Sequence, residues 1–141
     1  MAENRKIKFT TNKGVFVAEM FEDKAPITTG NFIELTEQGY YEGLMFHRVI
    51  EDFMIQTGDP MGNGTGGSSE TIKGEFSING VINDISHVRG TLSMARQGNY
   101  PYPETEETMN SASSQFFIVH ADSPHLDGQY AGFGKVIEGL E

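Results

Sequence analysis

The stretch FHRVIEDFMIQTGDP, which begins at Phe46, places one arginine among apolar, strand-forming residues. Side chains alternate between the faces of a strand, so a hairpin here would bring Arg48, Met54 and Gln56 to one side. Phe53 would lie next to them, and a guanidinium and an amide would then border an apolar patch. A guanidinium keeps its charge and donates several hydrogen bonds, which suits it to act on a reacting group. The alternative is a surface ion pair between Arg48 and a carboxylate, and the pattern alone leaves both open.

Other patterns that could support catalysis are weaker. Gly62, Gly64 and Gly67 match the dinucleotide-binding glycine pattern, but no helical period follows them, so no cofactor is expected. The 4 histidines lack the spacing of metal ligands and cysteine is absent, so neither a metal site nor a thiol nucleophile is expected. No G-x-S-x-G serine motif is present.

The composition is that of one globular domain over 1–141, with 37% apolar and 21% charged residues. The net charge of −10 opposes binding to a phosphate backbone, so nucleic acid is not an expected partner. No apolar run reaches the length of a membrane span, and no membrane association is expected. The first residues, MAENRKIKF, carry no apolar signal core, which favours a cytoplasmic location.

Short strands must position the candidate residues. Asn-Lys-Gly separates two β-prone runs and predicts a hairpin turn. The predicted strands cover 6–11, 15–21, 46–50, 53–57, 90–94, 115–119 and 130–137, and residues 58–75 are predicted to form a long ordered loop. This strand pattern predicts a mainly antiparallel β fold, closed into a barrel or a sandwich.

One helix is predicted between the first two strands and the rest of the sheet. Pro26 suits its first turn, and Gly39 is placed to end it. Within it, Ile27, Phe32 and Leu35 fall at helical spacing together with Asn31.

Several of these motifs together resemble one family. The stretch from Phe46 resembles the signature of the cyclophilins, the peptidyl-prolyl cis-trans isomerases inhibited by cyclosporin. The likeness continues, in the family's order, through NFIELTEQGYYEGLMF, GTLSMAR, SSQFFIVHADSPHLDG and FGKVIEG. The resemblance implies an eight-stranded antiparallel barrel closed by helices, with the active site on its outer face. It also implies a monomer that needs no metal, cofactor or covalent intermediate.

The resemblance assigns roles residue by residue. Arg48 resembles the catalytic arginine, and Ala95 resembles part of the peptide-binding floor. Gln56 and Gln115 resemble the polar groups that line the site. The residues that resemble the pocket for the proline ring are Phe53, Met54, Phe117 and Leu126. The implied substrates are proline-containing peptides and unfolded or loop segments of proteins.

Three positions depart from the family pattern. Arg96 replaces a usual asparagine whose backbone holds the substrate, which adds a cation near the groove. His125 replaces a tryptophan that donates to cyclosporin, so a reduced affinity for the drug is expected. Tyr130 replaces a common rim histidine. The loop at 97–112 is also longer than usual, and it is either tolerated variation or a flap that selects substrates.

Two further expectations concern the end of the chain and the class of function. Family members continue past FGKVIEG with a helix and a last strand, so a C-terminally truncated chain is expected. The rivals to an isomerase are a non-catalytic binding module for proline peptides and a chaperone that uses exposed apolar surface. The presence of Arg48 beside an intact pocket favours catalysis, because binding alone would not require the arginine.

Overall fold

The computed structural model shows seven β-strands and one α-helix in the part of the chain that it describes. The described residues are 5–11, 14–22, 24–43, 46–50, 53–59, 67, 71–76, 79–81, 83, 85–96, 109–127 and 129–138. The elements are β1 (Lys6–Thr11), β2 (Gly14–Met20), α1 (Pro26–Glu37), β3 (Arg48–Ile50), β4 (Met54–Thr57), β5 (Thr91–Met94), β6 (Phe116–Val119) and β7 (Gly132–Glu138). A short 3₁₀ helix, Pro124–Leu126, precedes β7. The predicted strands and helix are therefore confirmed, with shifts of one or two residues at their ends.

All the strands belong to one antiparallel sheet in the order β1-β2-β7-β5-β6-β4-β3. The sheet is strongly curled. Phe9 on β1 and Phe116 on β6 have ring centroids 6.2 Å apart, although their strands are four places apart in the order. In a flat sheet these strands would be separated by about 19 Å. The mainly β, barrel-type fold predicted from the sequence is confirmed as a curled half-barrel.

The helix α1 covers the concave side of the sheet. Phe32 packs against Phe116 with ring centroids 5.0 Å apart, and against Phe133 at 5.1 Å. Its bounds agree with the prediction, and Gly39 adopts a positive φ of 74° just beyond its end. Of the residues at helical spacing, Phe32 and Leu35 are buried, whereas Ile27 is 46% exposed. The buried side chains in that turn are Thr28 and Thr29, and the Thr28 hydroxyl donates to the buried carboxylate of Glu75.

Alternation along the central strands divides their side chains between two apolar clusters. Phe116 and Ile118 on β6 join the main core under α1, whereas Phe117 and Val119 point to the opposite face. On β4, Ile55 packs against the main core and Met54 lies on the opposite face. A second, smaller cluster thus forms on the convex side of the sheet, where the predicted site residues lie.

Two predicted loops lie largely outside the described residues. Most of 58–75 and all of 97–108 are not described, and neither is the turn at 51–52. Within the first loop, Ile72 forms an isolated bridge with Ala112. The flap hypothesis for the second loop therefore stays a prediction.

Candidate active site

The hairpin formed by β3 and β4 presents Arg48 at its surface. Arg48 lies directly across from Gln56 in the strand register. Its Nη1 is 3.5 Å from Oε1 of Gln56, and the amide of Gln56 donates to Oε1 of Gln115 at 2.8 Å. Arg48 is exposed while Gln56 is buried. A row of polar groups therefore leads from the sheet to a guanidinium at its surface.

The alternative of a surface ion pair for Arg48 gains no support. Within the described residues, the ion pairs join Arg5 to Glu22 and His87 to Asp127. No described carboxylate pairs with Arg48. Its described hydrogen-bond partner is the amide of Gln56, which is neutral and does not offset the charge of the guanidinium.

The convex-side apolar cluster lies beside this row, since Phe117 is the strand partner of Gln56, and it is called the pocket below because the resemblance puts the proline ring there. Its buried members are Met54, Phe117, Val119 and Leu126, and the half-buried side chains packed against them are Ile50, Phe53, Ala95 and Tyr130. The rings of Phe117 and Tyr130 meet edge to face, with centroids 5.9 Å apart. Aromatic and aliphatic walls of this kind suit a small apolar ring.

Backbone hydrogen bonds fix the parts of this pocket to one another. The amide of Ala95 donates to the carbonyl of Gln115 at 3.0 Å, and the amide of His120 donates to the carbonyl of Phe53 at 2.7 Å. The amide of Phe53 in turn donates to Ile50 at 3.1 Å and closes the β3–β4 turn. The pocket is therefore attached to the sheet at several points.

The segment that carries Gln115 is held from below by side chains of other elements. Asn31 donates to the carbonyl of Ser113 at 2.7 Å, and the hydroxyl of Tyr41 donates to the carbonyl of Ser114 at 2.9 Å. The Ser114 hydroxyl donates to the carbonyl of Gly58 at 2.7 Å. Burial raises the pKa of Tyr41 well above its ordinary value, so the phenol stays a hydrogen-bond donor.

A hydrogen-bonded row of Ser93, His87 and Asp127, in which Ser93 and His87 are buried and Asp127 is exposed, lies against Phe117. Nε2 of His87 is 2.8 Å from the Ser93 hydroxyl, and Nδ1 is 2.8 Å from Oδ1 of Asp127. The His87 ring stacks on Phe117 with centroids 6.2 Å apart. These residue types form catalytic triads elsewhere, but Ser93 is completely buried and cannot meet a substrate. The row instead supports Phe117 and the chain that follows Leu126.

The guanidinium of Arg96 lies at the rim of the same pocket. Its central carbon is 4.6 Å from the ring centroid of Tyr130 and 5.1 Å from that of Phe76. Its Nε and Nη2 both donate to the carbonyl of Gln129, at 3.0 and 2.8 Å. Arg96 therefore ties the end of β5 to the segment that enters β7.

Comparison with known proteins gives this arrangement a family. The family model described as cyclophilin type peptidyl-prolyl cis-trans isomerase/CLD matches residues 6–141. The chain belongs to the cyclophilin-type peptidyl-prolyl cis-trans isomerase family. The resemblance seen in the sequence is confirmed.

Individual cyclophilins agree with this assignment. A peptidyl-prolyl cis-trans isomerase of Synechococcus elongatus is 45% identical over 125 residues, which are 89% of this chain and 75% of that protein. The peptidyl-prolyl cis-trans isomerase-like 2 of Rhizopus delemar is 44% identical over 95% of this chain, but the chain spans only 23% of its length. The isomerase class predicted for the enzyme is therefore confirmed by the family and its curated members.

A solved cyclophilin also has this fold. The crystal structure of a cyclophilin type isomerase of Cryptosporidium parvum, determined in the presence of the dipeptide Ala-Pro, superposes with a TM-score of 0.81 at 35% identity. The match covers 96% of this chain and 80% of that one. The half-barrel described above is thus the cyclophilin fold.

The structure brings most of the predicted cyclophilin site residues together. Those that meet in the pocket or the polar row are Arg48, Phe53, Met54, Gln56, Ala95, Gln115, Phe117, Leu126 and Tyr130. Arg96 lies next to Tyr130 at the rim. The side chain of His125 lies outside the described residues, so the prediction of reduced cyclosporin affinity stays a prediction.

Sequence reasoning missed several residues that pack in or against this candidate site. Val119 follows Phe117 at a spacing of two on β6, so strand alternation could have identified it. His87, Ser93 and Asp127 come from distant segments, and no local pattern joins them. Phe76 lies in a region that carries no strand or helix signal.

In the described ranges, no three His, Asp or Glu side chains are grouped as metal ligands would be. No helix in the described part of the chain has the length and apolarity needed to cross a bilayer.

Proposed function

We propose that this chain accelerates cis-trans isomerisation of the peptide bond before proline, with Arg48 as its catalytic residue. The observation that carries the proposal is the position of Arg48, which is exposed at the edge of the apolar pocket and in contact with the Gln56 amide. Proline-containing peptides and loop or unfolded segments of proteins are the proposed substrates. The cytoplasmic location and the monomeric state stay predictions.

The chemistry of the imide bond explains why a cation belongs there. Its rotational barrier of about 18–20 kcal/mol arises because the nitrogen lone pair is delocalised into the carbonyl. In the twisted transition state the lone pair returns to a pyramidal nitrogen. A charged donor aimed at that nitrogen binds the transition state better than either ground state, which accelerates rotation.

The pocket has a separate role in this proposal. Met54, Phe117 and Leu126 are at most 8% exposed, and they form the apolar cluster next to Gln56 in which we place the proline ring. If the proline ring is anchored there, the acyl part of the substrate can rotate while the ring stays fixed. An apolar wall also excludes water, which would otherwise favour the planar, charge-separated amide. The amides of Gln56 and Gln115 can hold the peptide backbone without adding a competing charge.

The energies are sufficient for this mechanism. Uncatalysed exchange takes about 10–100 s at room temperature. Raising the rate to about 100 s⁻¹ requires about 10³–10⁴-fold acceleration, or about 4–5.5 kcal/mol. A transition-state hydrogen bond from a charged donor contributes about 2–4 kcal/mol, and desolvation in the pocket adds to it.

The test is NMR exchange spectroscopy on an Ala-Pro peptide with the wild type, Arg48→Ala and Arg5→Ala. Arg5 is an exposed arginine beside β1, remote from the pocket in the strand order, and serves as the matched control. We expect fast exchange with the wild type and with Arg5→Ala, and a loss of at least about 100-fold in turnover with Arg48→Ala. Peptide affinity should change much less.

Other results would favour the rival functions. Peptide chemical-shift changes without faster exchange in the wild type would indicate a proline-peptide binding module. Suppression of aggregation that is equal in the wild type and Arg48→Ala, without any isomerisation, would indicate a chaperone. Equal losses of affinity and turnover in Arg48→Ala would mean that the arginine acts in binding rather than in the transition state.

A further inference from the structure

Arg96 occupies an unusual position at the rim of the pocket. Its guanidinium lies over the rings of Tyr130 and Phe76, and it donates twice to the Gln129 carbonyl. Phe76 is 1% exposed, so one side of this contact rests on a fixed part of the molecule. The other side is Tyr130, whose ring meets Phe117 in the pocket. A continuous series of contacts therefore leads from a fixed aromatic ring, through Arg96, to the pocket wall.

The backbone reinforces this connection. The amide of Met94, at the end of β5, donates to the carbonyl of Ala131 at 3.1 Å, next to Tyr130. Arg96 acts two residues further along, where β5 and β7 are no longer paired. Without it, the backbone of Gln129 and the ring of Tyr130 would lose three contacts that fix their place relative to β5. A flat guanidinium suits this task, because it can stack on rings while its edge donates hydrogen bonds.

We propose that Arg96 is a positioning residue that sets the width of the proline pocket through Tyr130, and thereby its selectivity for a five-membered ring. This inference rests on the proposed isomerase function. Arg96 need not touch the substrate in this role. It holds Tyr130 against Phe117, and a pocket held in this way should reject a ring that is larger by one methylene group.

The experiment compares two peptides that differ only in that ring, one with proline and one with pipecolic acid, whose ring has six members. Values of kcat/KM are measured by NMR exchange for the wild type, Arg96→Met, Arg96→Lys and Arg5→Met. Arg5 is a matched control, because its Nε and Nη2 also donate to a single oxygen, that of Glu22, far from the pocket in the strand order.

We expect the wild type and Arg5→Met to prefer the prolyl peptide by about tenfold or more, the effect of one methylene group in a close-fitting pocket. Arg96→Met and Arg96→Lys should lower that preference by about three- to tenfold, since both lose the flat stack on Tyr130. The loss should come mainly from a higher KM for the prolyl peptide. A purely structural role would lower both kcat/KM values together and leave their ratio unchanged.

Each other result has a definite meaning. If Arg96→Met has the same ratio of prolyl to pipecolyl kcat/KM as the wild type, the inference is overturned. If Arg96→Lys keeps the wild-type ratio, the charge rather than the stacking matters, and the inference is overturned as well. If Arg96→Met does not fold, Tyr130→Ala is measured in its place. A ratio of the two kcat/KM values equal to that of the wild type in Tyr130→Ala would also overturn the inference. If the wild type does not accelerate cis-trans exchange, both the proposed function and the inference are wrong. If it does, but the variants keep the wild-type ratio of kcat/KM values, only the inference is wrong.

Discussion

At the scale of single residues, the site depends on polar groups that hold one another in place. Arg48 is next to Gln56, Gln56 donates to Gln115, and the preceding residue, Ser114, is bonded by Tyr41. In the proposed mechanism the guanidinium of Arg48 must be aimed closely to act on a transition state, and each link restricts the next. The Ser93–His87–Asp127 row supports Phe117 in the same manner.

The buried end of that row provides a prediction. In the neutral His87 ring that donates from Nδ1 to the carboxylate of Asp127, Nε2 accepts from the Ser93 hydroxyl. Ser93→Ala removes the hydrogen bond of a completely buried hydroxyl, so it should lower the free energy of unfolding by about 0.5–1.5 kcal/mol. Urea denaturation checks this, with the exposed Ser86→Ala as the control. An unchanged midpoint in Ser93→Ala would mean that water or another donor replaces the hydroxyl.

At the scale of elements, the helix α1 begins without a capping side chain of its own. Its N-cap residue is Ala25, and its first turn contains no acidic residue. Glu75 supplies the missing acceptor from a distant segment. Its Oε1 accepts the amide of Thr28 at 2.6 Å and the Thr28 hydroxyl at 2.7 Å. A buried carboxylate at this end also complements the positive end of the helix dipole.

Removing the charge of that carboxylate should weaken the helix. Glu75→Gln keeps the shape and one acceptor oxygen but loses the charge, so we expect the free energy of unfolding to fall by about 1–2 kcal/mol. Glu34→Gln, on the exposed face of the same helix, is the control and should stay within about 0.5 kcal/mol of the wild type. Chemical denaturation monitored by circular dichroism measures both. Equal effects of the two substitutions would contradict the capping role.

Two glycines should respond to alanine with opposite signs. Gly30 lies inside α1, and a Cβ there would meet nothing within 4 Å. Gly30→Ala should therefore raise the free energy of unfolding by about 0.5–1 kcal/mol through helix propensity. Gly58 has a φ of +98°, and its Cβ would overlap the Ser114 carbonyl oxygen. Gly58→Ala should cost about 2–4 kcal/mol, from strain and overpacking beside Gln115.

Thermal denaturation of the two variants separates these effects. A melting temperature above that of the wild type for Gly30→Ala and below it for Gly58→Ala is the expected result. Isomerase activity of Gly58→Ala should fall as well, because the residue displaced is next to Gln115. A neutral Gly58→Ala would show that the 113–115 segment can move without loss, which contradicts the rigid support described above.

At the scale of the whole molecule, the alternating strand pattern and the turn residues predicted the elements well. The hairpin around the Asn-Lys-Gly turn, the helix starting at Pro26 and the β6 strand all agree with the structure. Sequence periodicity also placed Arg48, Met54 and Gln56 together. It could not reveal that Glu75 caps α1 or that Phe76 lies under Arg96, because those contacts depend on the curl of the sheet. Helical spacing also could not show that Ile27 is exposed while Thr28, bonded to that same glutamate, is buried.

The ion pair between Arg5 and Glu22 leads to a prediction about acid stability. The pKa of Glu22 lies below its usual value of 4.5, mainly because its carboxylate accepts a side-chain hydrogen bond from Arg5. The backbone amide of Arg5 and the positive charge of its guanidinium lower this pKa further. Because the folded-state pKa is the lower one, the bond stabilises the fold fully above pH 4.5 and is lost as the pH falls through the folded-state pKa. The pair joins the start of β1 to the end of β2, an edge hairpin of the sheet.

Glu22→Gln isolates this effect from the general change in charge on acidification. Acidification takes the net charge of the chain from −10 at pH 7 to a positive value at pH 2, which acts on the wild type and the variant alike. We therefore expect Glu22→Gln to have a lower urea midpoint than the wild type at pH 7 and an almost equal midpoint at pH 2. The difference should shrink in high salt, since both side chains are partly exposed. A difference that persists at pH 2 would mean that the glutamate contributes through packing rather than through its charge.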